Sequence, residues 1–198
     1  DETVTPFDRK VRAFRSENRA AWQNYCIRRQ LLIQEGASSV PPEKRVMSTV
    51  IHADRLAAEC NEWYLFHGTT SEAAVAICKG DFRVRHAGKR TGSLYGSGVY
   101  CAESITKADE YAAANERQEY SVLLCRALGG RFRETTEATP DQEKLLLDCI
   151  EGPFSCVLGD RTVTRGTFRE FVFFDTEHLY AEYIIQYKRI FPEGGAVR

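Results

Sequence analysis

Apolar and polar residues follow a helical period near the start of the chain and strand-like runs further along it. Residues 7–35 contain neither glycine nor proline, and charged side chains separate their apolar ones. These apolar side chains are Val11, Phe14, Trp22, Tyr25 and Leu32. The spacing predicts an amphipathic helix over Phe7–Glu35 that ends at Gly36 and packs on a sheet. After a loop at 37–44, a weaker helical pattern covers Val46–Cys60, where β-branched residues disfavour a helix.

Short, nearly continuous apolar runs predict the strands of that sheet. They are Trp63–Phe66, Val99–Ala102, Ser121–Leu128, Phe168–Phe174 and Leu179–Phe191. Ser121–Leu128 is apolar on both sides and ends at two glycines, which is typical of a central strand followed by a turn. Along the last run, strict alternation places Glu182 on one side with Ile184 and Gln186.

Shorter helical patterns lie between the strands. Thr70 or Ser71 can cap a helix over Ala73–Cys78 that Gly80 closes. Ser104 or Thr106 can cap another helix that continues to about Asn115. The glycine-rich and basic stretch Arg83–Leu94 is predicted to be a mobile loop, and residues 134–143 show no clear type. Short connections between neighbouring strands favour antiparallel pairing, so the predicted fold class is α+β.

Composition narrows the class of protein. A chain of 198 residues with 43% hydrophobic and 28% charged residues is expected to form one globular domain. Its net charge is −1, and acidic and basic residues are interspersed along the chain. The charge pattern therefore does not indicate binding to a nucleic acid or to an anionic membrane. Seven cysteines without a CxxC pair favour a reduced intracellular compartment, and no segment has the length of a membrane span. Because the chain starts at Asp1, we expect a fragment or a processed product.

Two familiar glycine motifs and a metal site are excluded as interpretations. Gly92, Gly96 and Gly98 do not give the dinucleotide fingerprint, and Gly88-Lys89 lacks the preceding glycine of a phosphate-binding loop. These glycines allow either a plain turn or the close approach of a ligand. The cysteine and histidine residues lack zinc-ligand spacing, so no metal is expected.

Four polar side chains are candidates for chemistry, and each also has a plain structural interpretation. His67 is either a satisfied core histidine or a recognition residue, because Gly68 and the two threonines after it supply backbone donors and hydroxyls. Tyr100 and Tyr111 are core aromatics or ligand contacts. Glu182 is a solvated strand residue or a functional carboxylate in an aromatic setting.

Four ordered segments together resemble the catalytic domain of the poly(ADP-ribose) polymerases, the diphtheria-toxin-like ADP-ribosyltransferases. They are Phe66-His67-Gly68-Thr69, Tyr95-Gly96-Ser97-Gly98-Val99-Tyr100-Cys101-Ala102, Lys107-Ala108-Asp109-Glu110-Tyr111 and Ala181-Glu182-Tyr183-Ile184-Ile185. Leu124–Gly129 and Arg169-Glu170-Phe171-Val172 match as well. The resemblance covers most of the chain and implies an ADP-ribosyltransferase fold, with antiparallel sheets and flanking helices around an NAD+ cleft.

The resemblance also implies the chemistry of the site. Members of the family cleave the bond between nicotinamide and ribose in NAD+ and pass ADP-ribose to a protein side chain or to an earlier ADP-ribose. His67 would hydrogen-bond a ribose hydroxyl, and the backbone of Gly68 would bind the nicotinamide carboxamide. Tyr111 would stack on the nicotinamide ring, and Tyr100 would close its other side.

Other residues complete the implied NAD+ site. Glu182 would bind the 2′-hydroxyl of the nicotinamide ribose, stabilise positive charge at the anomeric carbon and help to activate the acceptor. Thr69 and Arg83 are assigned to the adenosine ribose and the diphosphate end. Gly98 and Lys107 are further NAD+ contacts. NAD+ is thus expected as a consumed substrate, and the catalytic set is His67, Tyr100 and Glu182.

This chain departs from the family pattern at two positions. Ala108 stands where many relatives place a serine against the carboxamide, and Cys101 stands where they have phenylalanine. One lost hydrogen bond weakens binding by about 0.5–1.5 kcal/mol, which a hydroxyl such as that of Thr106 can offset. Activity is therefore still expected.

The expected function is ADP-ribosyl transfer to protein acceptors, which include the chain itself. Single-unit transfer is slightly favoured over chain formation, since the N-terminal region is short and Trp22 with Tyr25 resembles the opening helix of mono-ADP-ribosylating members. We expect a single catalytic domain over 1–198, with a helical segment at 1–60 and the catalytic core at 61–198. Two alternatives are a catalytically silent NAD-binding or interaction module of the same fold, and an NAD+ glycohydrolase.

Overall fold

One eight-stranded sheet organises the fold. The computed structural model of the chain describes residues 11–41, 45–46, 53–84, 93–162 and 166–190. The strands are β1 (Arg12–Arg15), β2 (Glu62–Thr69), β3 (Val99–Ala102), β4 (Tyr120–Leu128), β5 (Phe132–Thr135), β6 (Cys156–Asp160), β7 (Arg169–Phe173) and β8 (Leu179–Tyr187). The helices are α1 (Arg19–Glu35), α2 (Ser71–Lys79), α3 (Ile105–Asp109) and α4 (Gln142–Ile150).

The sheet order is β1-β8-β4-β2-β3-β7-β6-β5. Neighbouring strands are antiparallel except β5 and β6, which are parallel. The α+β class is therefore confirmed. The described strands form a single continuous sheet, whereas more than one sheet was expected.

The two faces of the sheet pack against different partners. The larger core contains the inward side chains of β2, β4 and β7, among them Leu65, Leu123 and Phe171, all without solvent exposure. A second cluster lies between α1 and the sheet, where Tyr25 meets Tyr180 and Trp22 packs edge-on against Tyr180 at 4.9 Å between ring centroids. Helix α1 therefore packs on the sheet, as its apolar spacing predicted.

The first helix begins later than its apolar spacing suggested. Asn18 caps it, with its side chain accepting from the Ala21 amide at 3.1 Å, so the helix starts at Arg19. Arg12–Arg15 instead extends along the edge of the sheet and pairs with β8, so the helix prediction is wrong for these residues. The predicted residues 7–10 lie outside the described part of the chain.

The second predicted helix is also wrong in its described part. Residues 53–55 and 58–60 form two single 3-10 turns, while 47–52 lie outside the described residues. Asn61, with a φ of 53°, then turns the chain into β2. Because Glu62 accepts a hydrogen bond from the Ala57 amide at 2.8 Å, the chain is held in this turn rather than in a longer helix.

Other elements follow their patterns with shifted ends. Thr70 caps α2, and Gly80 follows its last turn, as predicted. Helix α3 stops at Asp109, short of the expected Asn115, because Arg189 binds the Asp109 carbonyl at 2.6 Å and its carboxylate at 3.0 Å. Helix α4 and strands β5 and β6 had no predicted counterpart. Most of the predicted Arg83–Leu94 loop, and Phe191 at the end of the last predicted strand, lie outside the described residues.

A buried charge network joins α1 to three strands. Arg126 of β4 donates from Nε to Glu182 at 2.7 Å and from Nη1 to Glu62 at 3.1 Å. Tyr64 donates its hydroxyl to Glu182 at 3.1 Å, and Tyr25 donates to Glu62 at 2.9 Å. The Glu62 side chain has 0% exposure, so its charge depends on these partners.

A register shift between Leu124 and Cys125 explains where Glu182 points. Before the shift Cys125 pairs with Ala181, and after it Leu124 pairs with Tyr183. The irregularity breaks the strict alternation predicted along β8: Ala181 and Ile184 both pack in the larger core, while Glu182 meets Arg126.

Replacing Arg126 tests the network. We expect Arg126→Met to lower the free energy of unfolding by about 3–5 kcal/mol, because two carboxylates lose their cation in a buried site. Chemical denaturation of the variant and the wild type measures this. Arg131→Met is the matched control, since Arg131 is exposed and its Nη2 binds only a backbone carbonyl, that of Glu35, at 3.0 Å. Equal stability of the two variants would contradict a supporting role for the network.

Candidate active site

A cavity of about 440 Å³ opens beside the C-terminal half of β2. Its walls come from β2, α2, β3, α3 and β7. They are lined by Phe66, His67, Gly68, Thr69, Ala73, Ala76, Ile77, Gly80, Asp81, Phe82, Arg83, Ser93, Gly98, Val99, Tyr100, Cys101, Ala102, Lys107, Ala108, Tyr111 and Glu170. A concave volume of this size with a few convergent polar groups is typical of a small-molecule site.

The structure brings together eight of the nine site residues proposed from the sequence. His67, Gly68, Thr69, Arg83, Gly98, Tyr100, Lys107 and Tyr111 all line the cavity. Glu182 does not line it, because its carboxylate is bound in the Arg126 network.

His67 is fixed by the backbone of a neighbouring strand. Its Nδ1 lies 2.8 Å from the Tyr100 carbonyl oxygen, and the Phe82 ring packs edge-on against it at 5.5 Å. Since a carbonyl oxygen can only accept, Nδ1 carries the hydrogen, and in the neutral ring Nε2 is an acceptor. The residue lies within β2, opposite Leu123, rather than at the strand end.

Tyr100 is held by the turn that precedes it. Its hydroxyl donates to the Gly96 carbonyl at 2.9 Å and accepts from the Tyr95 amide at 2.9 Å. Burial raises the pKa of this phenol, so it stays protonated. Gly98 is needed here, because a Cβ would lie 2.4 Å from Val172 of β7.

Gly68 lets helix α3 approach β2 closely. A Cβ at this position would lie 1.7 Å from the Ala108 carbonyl oxygen. The contact places Lys107 and Tyr111 on the cavity wall, and the Lys107 ammonium lies 5.1 Å from the centre of the Tyr111 ring. The Tyr111 side is open, with 36% of the residue exposed. This ring is therefore accessible for stacking.

Glu170 is the buried carboxylate of the cavity, whereas Asp81, which also lines it, is exposed. It lies on β7, paired with Ala102 of β3, and is only 2% exposed. The Tyr111 hydroxyl is 3.4 Å from Oε1, and Lys107 Nζ is 3.7 Å from the same oxygen. Oε2 has no hydrogen-bond partner among the described residues. Its contact there is electrostatic, with Arg161 Nη1 at 3.6 Å, so this oxygen keeps an unused capacity to accept a hydrogen bond from a ligand group or from water.

The sequence contained a signal for Glu170 that was given no role. Arg169-Glu170-Phe171-Val172 belongs to the segments that resemble the family, and a glutamate inside the run Glu170–Phe174 is out of place in a plain core strand. Phe171 and Phe173 face the larger core, so alternation turns Glu170 to the opposite side.

Cys101 gives the cavity wall an unusual thiol. Its hydrogen bond with Cys125 is the main cause that lowers its pKa to about 6; contact with His67 adds to this, and burial opposes it. All seven cysteines are free. Among the residues that the structure describes, no group of histidine, cysteine and acidic side chains is arranged to hold a metal ion.

None of the described helices combines the length and the apolar character needed to cross a membrane.

Comparison with known proteins agrees with this site. The chain matches the family "Poly(ADP-ribose) polymerase catalytic domain" over residues 9–150. It is 34% identical over 88 residues to the mouse protein mono-ADP-ribosyltransferase PARP10, covering 41% of this chain. It is 32% identical over 137 residues to mouse protein mono-ADP-ribosyltransferase PARP12, covering 65% of this chain, and 30% identical over 129 residues to the human PARP12, covering 64%.

The chain spans 9% of the length of the mouse PARP10 and 17% of the mouse PARP12. The family match ends at residue 150, before both Glu170 and Glu182, so the choice between these carboxylates comes from the geometry of the cavity. The match covers well over half of the chain, and the observed α+β fold is consistent with it. The chain belongs to the family of poly(ADP-ribose) polymerase catalytic domains.

Proposed function

We propose that this domain transfers ADP-ribose from NAD+ to protein side chains with release of nicotinamide, and that Glu170 is its catalytic carboxylate. The observation that carries the proposal is that Glu170, whose Oε2 makes no hydrogen bond to a described residue, lies in the wall of a cavity shared with His67, Tyr100 and Tyr111. Glu182, the carboxylate first assigned to this role, is committed to Arg126 and Tyr64 and serves the fold.

The reaction needs a negative charge near the ribose. Cleavage of a glycosidic bond passes through a transition state that resembles an oxocarbenium ion, which a fixed carboxylate stabilises. Glu170 is held on a strand, so it costs little reorganisation as the positive charge develops. Its free oxygen can accept a ribose hydroxyl and thereby orient the sugar.

The remaining wall residues orient NAD+. His67, which the bond between its Nδ1 and the Tyr100 carbonyl orients, is assigned to a ribose hydroxyl of NAD+. The accessible Tyr111 ring stacks on nicotinamide, and Tyr100 closes the opposite side of the cavity. The backbone of Gly68 binds the carboxamide, while Thr69 and Arg83 serve the adenosine end.

We further propose that one ADP-ribose unit is transferred per acceptor. The relatives PARP10 and PARP12 are named as protein mono-ADP-ribosyltransferases, which supports this product. The proposed acceptors are proteins, including this chain, in an intracellular compartment that keeps its cysteines reduced. NAD+ is the consumed substrate, and no metal takes part.

Paired substitutions separate the two glutamates. We expect Glu170→Gln to lower kcat for nicotinamide release by about 100-fold or more, because it removes a charge that stabilises the transition state. The dissociation constant for NAD+ should change far less, since glutamine keeps the acceptor oxygen. Single-turnover kinetics with labelled NAD+ and calorimetric binding provide the two values.

Glu182→Gln is the matched control for Glu170→Gln. It should keep turnover per folded molecule within about twofold of wild type, while the loss of a charged partner for Arg126 lowers the free energy of unfolding by about 1–3 kcal/mol. If Glu182→Gln were inactive but stable and Glu170→Gln active, the catalytic role would return to Glu182.

Gly68→Ala tests the close approach of α3. The added methyl would lie 1.7 Å from the Ala108 carbonyl oxygen, so α3 must move with Lys107 and Tyr111. We expect kcat/KM for NAD+ to fall by about 100-fold, the cost of a displacement of roughly 1 Å at a positioned site. Gly36→Ala is the control, because it adds the same methyl outside the cavity, where nothing lies within 4 Å, and the cost of its φ of 78° falls on stability. Equal kinetics of the two variants would argue against this constraint.

The nature of the product separates transfer from the two alternatives. Incubation with labelled NAD+ and mass spectrometry of the protein should show nicotinamide release and single ADP-ribose units on side chains. Free ADP-ribose without labelled protein would indicate a glycohydrolase instead. NAD+ binding without nicotinamide release would indicate a silent module.

A further inference from the structure

A second cation, Arg161, faces Oε2 of Glu170, the oxygen that makes no hydrogen bond to a described residue. Arg161 directly follows β6, in which Gly159 pairs with Glu170 of β7. Its Nη1 lies 3.6 Å from Oε2 of Glu170, close enough for electrostatic attraction but beyond a hydrogen bond. Lys107 lies on the other side, 3.7 Å from Oε1, and donates to Glu110 at 2.6 Å. Arg161 and Lys107 thus lie near different oxygens of the Glu170 carboxylate.

Both members of the Arg161–Glu170 pair have unused hydrogen-bonding capacity. Nε of Arg161 is buried and has no hydrogen-bond partner among the described residues, and the same holds for Oε2 of Glu170. The Arg161 side chain is 23% exposed and that of Glu170 is 3% exposed. A buried donor such as Nε of Arg161 and a buried acceptor such as Oε2 of Glu170 each carry a desolvation cost when they make no hydrogen bond. We therefore expect a bound group that hydrogen-bonds to both residues.

The chemistry of the pair restricts that group. Arg161 has donors only, and an ionised Glu170 has acceptors only. A carboxylate would satisfy Arg161 and be repelled by Glu170, whereas an ammonium group would do the reverse. A hydroxyl group both donates and accepts, so it can bind Glu170 through its hydrogen and Arg161 through its oxygen.

We propose that Arg161 is a further substrate-contacting residue, which together with Glu170 holds one substrate hydroxyl group. The inference rests on the proposed function, because the hydroxyl belongs either to the ribose of NAD+ or to an alcohol on the acceptor. Both sources share the same chemistry. Arg161 then does more than neutralise Glu170: its planar fork fixes the direction from which the hydroxyl approaches the carboxylate.

Arg161 is not itself among the residues that line the cavity but pairs with Glu170, which is, so the test compares Arg161→Gln with an arginine that is neither in the lining nor paired with Glu170. Arg133→Gln is the control, because Arg133 also has a buried Nε that makes no hydrogen bond to a described residue, and it too forms an ion pair with one carboxylate, from this Nε to Asp148 at 3.3 Å. Three readouts are made on each protein: calorimetric NAD+ binding, hydrolysis of NAD+ by water, and transfer to a protein acceptor. Melting temperatures check that both variants fold.

If the ribose supplies the hydroxyl, Arg161→Gln lowers kcat/KM for hydrolysis and for transfer alike, by about tenfold or more. NAD+ analogues that lack the 2′- or the 3′-hydroxyl of the nicotinamide ribose are then used in a thermodynamic cycle, in which the effect of Arg161→Gln is compared between NAD+ and each analogue. With the analogue lacking the contacted hydroxyl, wild type and Arg161→Gln should differ by less than about twofold, because the contact is already absent. If the acceptor supplies the hydroxyl, hydrolysis is unchanged and only transfer falls.

Two results would overturn the proposal. One is that Arg161→Gln behaves like Arg133→Gln in every readout, as expected if only water completes the pair. The other is an equal loss with NAD+ and with both deoxy analogues, which would mean that Arg161 only holds Glu170 in place. If the wild-type protein released no nicotinamide, the proposed function would be wrong. Calorimetric binding of NAD+ and of the deoxy analogues to wild type and Arg161→Gln would still decide whether Arg161 contacts a ribose hydroxyl.

Discussion

Arg126 shares its charge between two buried carboxylates, and this arrangement fixes the strand on which the active site depends. Glu62 and Tyr64, which take part in the network, lie on the same strand as His67 and Gly68, which line the cavity. A slip of one residue in β2 would turn His67 to the other face and remove Glu62 from Arg126 at once. The network and the cavity therefore require the same pairing register of β2. The charged cluster adds little net stability, but it favours this register over others.

The site could be predicted from the sequence where its residues are adjacent in the chain, and less well where the fold brings them together. His67 with Gly68, Tyr100 after its glycines, and Tyr111 after Lys107 are local motifs, and all of them line the cavity. The carboxylate is different. Glu170 and Glu182 each precede an aromatic residue in a C-terminal strand, so the two segments look alike. What separates them is the partner across the sheet: Arg126 for Glu182, and the cavity for Glu170.

The same distinction applies to the fold. Apolar runs predicted β2, β3, β4, β7 and β8, because burial on a sheet leaves a direct mark on composition. The strand Arg12–Arg15 was predicted as helix because Val11 and Phe14 continue the helical spacing of the residues after them, although this edge strand buries neither side chain. Cys156–Asp160 was missed because its strand character depends on β5 and β7 on either side, and no local pattern reports such neighbours.

The pairing of β1 with β8 has a consequence for how the chain reaches this state. Arg12 pairs with Gln186, a separation of 174 positions (186 minus 12), so the first strand finds its place only after nearly the whole domain has left the ribosome. Until then the edge of β4 that β8 will cover is open, and Tyr25 on α1 lacks the ring of Tyr180. Folding of this kind is dominated by long-range contacts and is slow, which leaves an aggregation-prone strand edge exposed during synthesis. The catalytic domain should therefore need chaperone protection most in the interval before its last strand emerges.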